Sequence, residues 1–185
     1  MSKLIVISSP SGGGKTTIVN AVMKKFPEMK FSISATTRTK RENETNGKEY
    51  FFLSREIFLD AVKNNELAEY EEIYGNYYGT LKSEILRALN TGSNMLFDVD
   101  VKGGVSIKNN FSENTITIFI APPNIETLKK RLTIRGTENS ETIEKRISRA
   151  EFEIEIGKKF DFIVVNDILE NAINEVEIIL NKIIN

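Results

Sequence analysis

The sequence predicts an α/β fold in which a parallel sheet lies between two layers of helices. Three observations point there. Short apolar runs of strand length, Leu4–Ile7, Met95–Phe97, Thr115–Ile120 and Phe162–Val165, recur along the chain. Helical patterns separate them, and the first run leads straight into a glycine-rich turn. Strands buried on both faces read as continuous apolar runs, and their alternation with helices builds such layers. At 185 residues the chain is sized for one domain with a sizeable core.

The first element carries most of the information. Ser8-Ser9-Pro10-Ser11-Gly12-Gly13-Gly14-Lys15-Thr16-Thr17 follows the strand and has the layout of a P-loop. Its glycines let the backbone N–H groups approach a di- or triphosphate without Cβ clashes, and the helix behind adds a positive dipole end. Lys15 would reach the β- and γ-phosphates and the Thr16 hydroxyl would ligate Mg²⁺. Ile18, Val22 and Phe26 recur every fourth residue, with Val19 and Met23 widening the stripe, as a helix there requires. One position departs from the motif: Ser9 stands where its first glycine belongs. The plainer reading is a glycine-rich turn before an ordinary helix, with Lys15 a solvated charge.

From Phe31 to Thr80 the text turns polar and aromatic. Tyr50-Phe51-Phe52-Leu53 reads as a strand and Gly75-Asn76-Tyr77-Tyr78-Gly79 as turn-rich chain, together a small inserted β-rich module. Ile125 to about Gly157 reads as two helices broken at Gly136-Thr137 after Pro122-Pro123, carrying Arg131, Arg135, Arg146 and Arg149 but few large apolar residues. Arg131 and Arg135 share one helix face, as do Arg146 and Arg149. A basic helical pair of this kind suits a closing lid. The last helix places Leu169, Ile173, Val176, Leu180 and Ile183 on one face. Ligands of parallel sheets bind outside the carboxyl ends of the strands, so the loop at Ser8–Gly14, Asp98 and Asn166 are expected at one rim.

Composition removes whole classes of chemistry. The chain has no cysteine, so it forms no disulfide or thiolate metal site and suits a reducing cytosol. It has no histidine, which removes histidine triads, imidazole metal sites and imidazole acid–base catalysis. Phosphoryl transfer survives, because it depends on positioning and charge stabilisation. A net charge of −1 does not suggest nucleic acid or an anionic membrane as partner. No apolar run is long enough to span a bilayer. The expectation is a soluble cytoplasmic protein.

Over nearly its whole length the chain resembles guanylate kinase. The resemblance is carried by Ser34-Ala35-Thr36-Thr37-Arg38, Asn46-Gly47-Lys48-Glu49-Tyr50, Gly75-Asn76-Tyr77-Tyr78-Gly79-Thr80, Asp98-Val99-Asp100 and Arg131-Leu132-Thr133-Ile134-Arg135-Gly136-Thr137, with the P-loop and Val164-Val165-Asn166-Asp167. It implies Mg²⁺-dependent transfer of the γ-phosphate of ATP to GMP, giving ADP and GDP, in purine metabolism and GMP recycling. It also implies a P-loop NTPase three-layer α/β/α core with a small inserted β-rich NMP-binding module and a helical lid. In one domain spanning 1–185, residues 1–32, 81–124 and 158–185 would form the core, 33–80 the GMP-binding module and 125–157 the lid.

By the same resemblance Arg38, Arg41, Tyr50 and Tyr78 hold the GMP phosphate, a dianion suited to planar guanidinium forks and phenol donors. Taken alone, the two arginines are as readily surface charges and the two tyrosines packing residues. Guanine presents two adjacent donors where adenine has an acceptor, and Glu69 matches the position that reads this edge. Ser34, Thr80 and Asp100 are its neighbouring base contacts, and dGMP is expected to be accepted too. Glu66, Glu71 and Glu72 lie close by, and without the resemblance nothing selects among these acids. Ser11, Gly12, Gly13, Gly14, Lys15, Thr16 and Thr17 would hold the ATP phosphates, with Asn166 and Asp167 on the adenine side. Thr16 and Asp98 would hold Mg²⁺, Asp98 through water; on its own, Asp98 could equally be a strand-end turn cap.

Catalysis would fall to Lys15, Arg38, Arg131, Arg135 and Arg146, the lid arginines reaching the transferring phosphoryl group; Arg149 reads as a surface residue. Ser9 would be strained by about 1 kcal/mol or more if its position needs a positive φ, and the expectation is that the loop nonetheless folds. Lys40-Arg41-Glu42-Asn43-Glu44 lacks the proline and glycine common at that place. Two other readings use the same residues. One is a guanylate-kinase-like scaffold domain that binds phosphopeptides, which typically has lost loop or lid residues retained here. The other is an adenylate or thymidylate kinase, against which Glu69 and Gly75–Thr80 speak.

Overall fold

The computed structural model describes residues 2–73, 75–134 and 140–184. In chain order the elements are β1 (Leu4–Ser8), α1 (Lys15–Lys25), β2 (Lys30–Phe31), β3 (Ala35–Thr36), β4 (Phe51–Phe52), α2 (Arg55–Lys63), β5 (Leu67–Ile73), β6 (Asn76–Leu81), α3 (Lys82–Thr91), β7 (Met95–Asp98), α4 (Val101–Asn110), β8 (Thr115–Ala121), α5 (Ile125–Ile134), α6 (Ser140–Gly157), β9 (Phe162–Val165) and α7 (Leu169–Ile184).

The main sheet has the order β2-β7-β1-β8-β9 and every pair in it is parallel. Its strand residues divide by the two-residue period of a pleated strand. Ile5, Ile7, Leu96 and Ile118 face α1 and α7, meeting Ile18, Val22, Val176 and Leu180. Leu4, Val6, Phe97 and Phe119 face the other way, toward Ile85, Ala88, Ile107 and Phe160. Both faces are covered, which is why β1 reads as an unbroken apolar run. Each such fully buried side chain is worth roughly 1.5–3 kcal/mol over its exposed state.

A second sheet, β4-β3-β6-β5, is mostly antiparallel and has its own small core of Ala35, Phe58, Ala61 and Leu67. The strand expected over Tyr50–Leu53 contracts to Phe51–Phe52. Gly75, at φ 80°, makes the turn, but Asn76 onward is strand paired to β5 rather than turn-rich chain. The segment also holds a helix, α2, begun by the Ser54 side chain accepting from Ile57 N–H at 3.2 Å.

The helices expected after Ile125 are α5 and α6; the break at Gly136-Thr137, and Arg135 beside it, lie outside the described residues. Their few apolar residues are the ones that pack them, Leu128 and Leu132 against Ala150 and Ile147. Among the described residues no helix is long and apolar enough to cross a membrane.

Candidate functional site

Three cavities follow one another along the carboxyl ends of the main-sheet strands. The central one, about 330 Å³, is lined by the loop from Ser9 to Thr17 together with Arg146 and Arg149. The loop is tied at its base: Ser8 Oγ donates to the Val99 carbonyl at 2.8 Å, and Gly13 N–H to the Pro10 carbonyl at 2.9 Å. Among the described residues Asn65 alone combines a side chain with a positive φ, so Ser9 carries no left-handed strain. Its hydroxyl donates to the Pro10 carbonyl at 3.1 Å. Gly14 caps α1 at φ 92°; no side chain caps this helix and no acid stands in its first turn. Its N-terminal N–H groups and dipole therefore suit an anion.

Asn166 props the loop from behind. Its Nδ2 donates to the Gly13 carbonyl at 2.8 Å, and a Cβ on Gly14 would come within 2.3 Å of that nitrogen. It also helps to line a second cavity of about 390 Å³ with Gly12, Gly14, Thr17, Arg131 and Asp167. Arg131 is engaged there, donating from Nη2 to the Asn166 carbonyl at 2.9 Å. Arg146 instead meets the loop, Nη1 to Ser11 Oγ at 3.3 Å.

Lys15 points toward the third cavity, about 290 Å³, whose walls include Ser34, Tyr50, Glu69, Glu71, Tyr78, Asp98 and Asp100. Its ammonium pairs with Asp98 at 2.5 Å and donates to the Val99 carbonyl at 2.9 Å. Thr80 is fully buried and donates to Glu69 Oε1 at 2.6 Å. Burial pushes the Glu69 carboxyl up to about 7; the Thr80 bond pulls against that shift, and the Asp100 charge adds to it. Asp100 caps α4, Oδ1 accepting from Gly103 N–H at 2.6 Å.

Tyr50 and Tyr78 meet edge to face, ring centroids 6.0 Å apart, and burial raises the Tyr50 phenol. Arg38 lies over the Tyr50 ring at 5.4 Å but outside the cavity's lining, as does the exposed Arg41. Glu44 grips Arg38 through both carboxylate oxygens at 3.0 and 2.7 Å and accepts from Arg41 N–H at 2.8 Å. These two contacts, Arg38 first, hold the Glu44 carboxyl down at about 2.

The structure thus brings the loop, Asn166, Arg146 and Asp98 to one rim, and Ser34, Tyr50, Glu69, Tyr78 and Asp100 to the adjoining cavity, with Thr80 buried behind Glu69 rather than lining it. Three further residues matter that sequence reasoning missed. Glu44, six residues beyond Arg38, orients it. Gly103 leaves room for Glu69, since a Cβ there would lie 2.7 Å from Glu69 Oε2. Arg149 is exposed, as a surface residue would be, yet it donates to both oxygens of Glu71, at 3.0 and 2.8 Å, and to Glu153 at 2.8 Å. Its four-residue step to Glu153 was visible in the text; its reach to Glu71, 78 positions away, was not.

Comparison with known proteins agrees with this layout. The sequence model described as Guanylate kinase matches residues 1–183. The guanylate kinase of Bacteroides fragilis is 48% identical over 172 residues, covering 92% of this chain and 84% of that protein. That of Bacteroides thetaiotaomicron is 47% identical over 184 residues, covering 99% and 90%. The crystal structure of guanylate kinase from Anaplasma phagocytophilum superposes with a TM-score of 0.76 at 31% identity, covering 98% of this chain and 85% of that one.

Proposed function

The chain belongs to the guanylate kinase family, and from that membership we propose how its residues transfer the γ-phosphoryl group of ATP to GMP, giving ADP and GDP. The observation that carries the reading is the row of three cavities, in which Lys15 borders both the loop cavity and the one walled by Glu69. A donor phosphate chain lying along the loop would end where an acceptor in the neighbouring cavity begins.

In this reading the N–H groups of Ser11 to Thr17 bind the ATP phosphates, and Asn166 with Asp167 borders the adenine. Lys15, Arg146, Arg131 and Arg135 stabilise the charge of the transferring group, which passes in line with little covalent chemistry left to the protein. Glu69, held by Thr80, accepts from guanine N1–H and the 2-amino group, with Ser34 and Asp100 beside it. Adenine would set its N1 lone pair against that carboxylate, leaving buried polar groups unmatched. Arg38, Arg41, Tyr50 and Tyr78 take the GMP phosphate, Arg38 pre-oriented by Glu44. The same cavity is proposed to take dGMP.

Thr16 and Asp98 would hold Mg²⁺. They offer a hydroxyl and a carboxylate, and no cluster of three or more acidic, histidine or cysteine ligands occurs among the described residues. That donor set fits an ion that keeps waters and shares substrate phosphates rather than one caged by protein. Bound there, the ion would neutralise β- and γ-phosphate charge. We further assign the core to 1–32, 81–124 and 158–185, the GMP-binding module to 33–80 and the lid to 125–157, in a cytoplasmic enzyme.

The test is ADP release from ATP and Mg²⁺ with GMP, AMP, UMP or dTMP as acceptor, for the native chain, Glu69→Ala and Lys15→Ala. Turnover confined to GMP and largely lost in both variants is expected. Turnover with another acceptor would overturn the Glu69 assignment.

A further inference from the structure

One turn beyond Arg146 on α6, Arg149 reaches across to the second sheet. Its bidentate bond to Glu71 of β5, its bond to Glu153 and its 3.7 Å approach to Asp100 place one guanidinium among three carboxylates. Glu71 and Asp100 are both walls of the cavity that holds Glu69. Without a cation between them they would repel each other at that wall. Arg146, three residues earlier on the same helix face, touches the loop at Ser11. A single face of α6 therefore bears on both nucleotide cavities. Nη2 donates to both Glu71 oxygens while Nε donates to Glu153, so one rigid guanidinium plane ties β5 to α6.

We infer that Arg149 is a positioning residue for the acceptor: by clamping Glu71 and screening Asp100 it couples the seating of α6 to the seating of β5 and β6 around GMP. The inference rests on the GMP reading above. Arg149 borders the loop cavity as well, but its bidentate partner Glu71 and its neighbour Asp100 both wall the acceptor cavity, so its effect falls chiefly on acceptor affinity. Coupling between sites of this kind is typically 5–150-fold.

The experiment is a double-mutant cycle of Arg149→Ala and Glu71→Gln, with KM for GMP, KM for ATP and kcat measured separately and melting curves recorded for each variant. Each single variant is expected to raise KM for GMP about tenfold, with KM for ATP within about twofold and kcat within about threefold. The double variant is expected to match the singles at about tenfold rather than multiply to about 100-fold. An unchanged KM for GMP in either single variant, or a multiplicative double variant, overturns the inference. Should Arg149→Ala fail to fold, the near-isosteric Glu71→Gln decides alone, a native KM overturning it. A native chain inactive on GMP would defeat the underlying reading, whereas native activity with unaffected variants defeats only the clamp.

Discussion

Lys15 is engaged by Asp98, its ammonium 2.5 Å from the carboxylate, on the strand that pairs with the one leading into the loop. In the proposed reading nucleotide phosphates draw the lysine away, which frees Asp98 for its role beside Thr16. Lys15→Ala is expected to lower kcat about 10²–10³-fold. Asp98→Asn is expected to raise the Mg²⁺ concentration for half-maximal rate about tenfold. A Mg²⁺ titration of both variants checks the pair; an Asp98→Asn curve that superposes on the native one refutes that assignment.

In its proposed role Glu69 accepts from both guanine donors as a carboxylate, yet its carboxyl sits at about 7. GMP binding must then expel a proton at lower pH, so KM for GMP should climb as pH falls below about 7, by up to about tenfold per unit. The substrate phosphate, with a second pKa near about 6, titrates as well. Glu69→Gln retains only that contribution and isolates it. The stability sign is opposite to that of a paired carboxylate. Raised from 4.5 in the unfolded chain, Glu69 makes the native state less stable as pH rises from 4.5 to about 7. The melting temperature of Glu69→Gln relative to native should thus be higher at pH 8 than at pH 4.

Gly103 separates function from stability. Alanine is favoured over glycine inside a helix by about 1 kcal/mol, but here its Cβ would stand 2.7 Å from Glu69 Oε2. Gly103→Ala should melt no lower than the native protein while raising KM for GMP about tenfold or more. A native KM would show that Glu69 can yield without consequence.

Ser9 tests the departure from the loop motif. Since it needs no positive φ and its hydroxyl is already bonded, Ser9→Gly should change KM for ATP by less than about threefold. A shift of orders of magnitude would show that the serine impairs the loop.

The inner strands of the main sheet, β7, β1 and β8, were legible because they are buried on both faces, and residues such as Ile5 and Val6 answer to opposite layers without breaking the apolar run; the edge strands β2 and β9 are largely exposed. β5 was not legible. Leu67 and Ala68 are buried, but Glu69 and Glu71 turn toward a polar cavity, so the strand lacks the apolar alternation that marks a half-buried one. The loop was readable from local spacing, since its strand, turn and helix are contiguous. Glu44, Gly103 and Arg149 act through partners brought near by the tertiary fold, and nothing in their own neighbourhoods announces it. Choosing Glu69 among its acidic neighbours needed the resemblance; in the structure Thr80 and Gly103 single it out.

The close fit of Asn166 behind Gly14 has a hereditary consequence. The two positions lie far apart in the chain yet share one small volume, so their mutational fates are linked in one direction. Smaller residues can replace Asn166 while Gly14 stays, at the cost of a prop to the loop. No replacement at 166 makes room for a free choice at 14, because its backbone at φ 92° disfavours any side chain even after the neighbour withdraws. A suppressor search begun from a substituted Gly14 should therefore return reversion to glycine far more often than second-site change at 166.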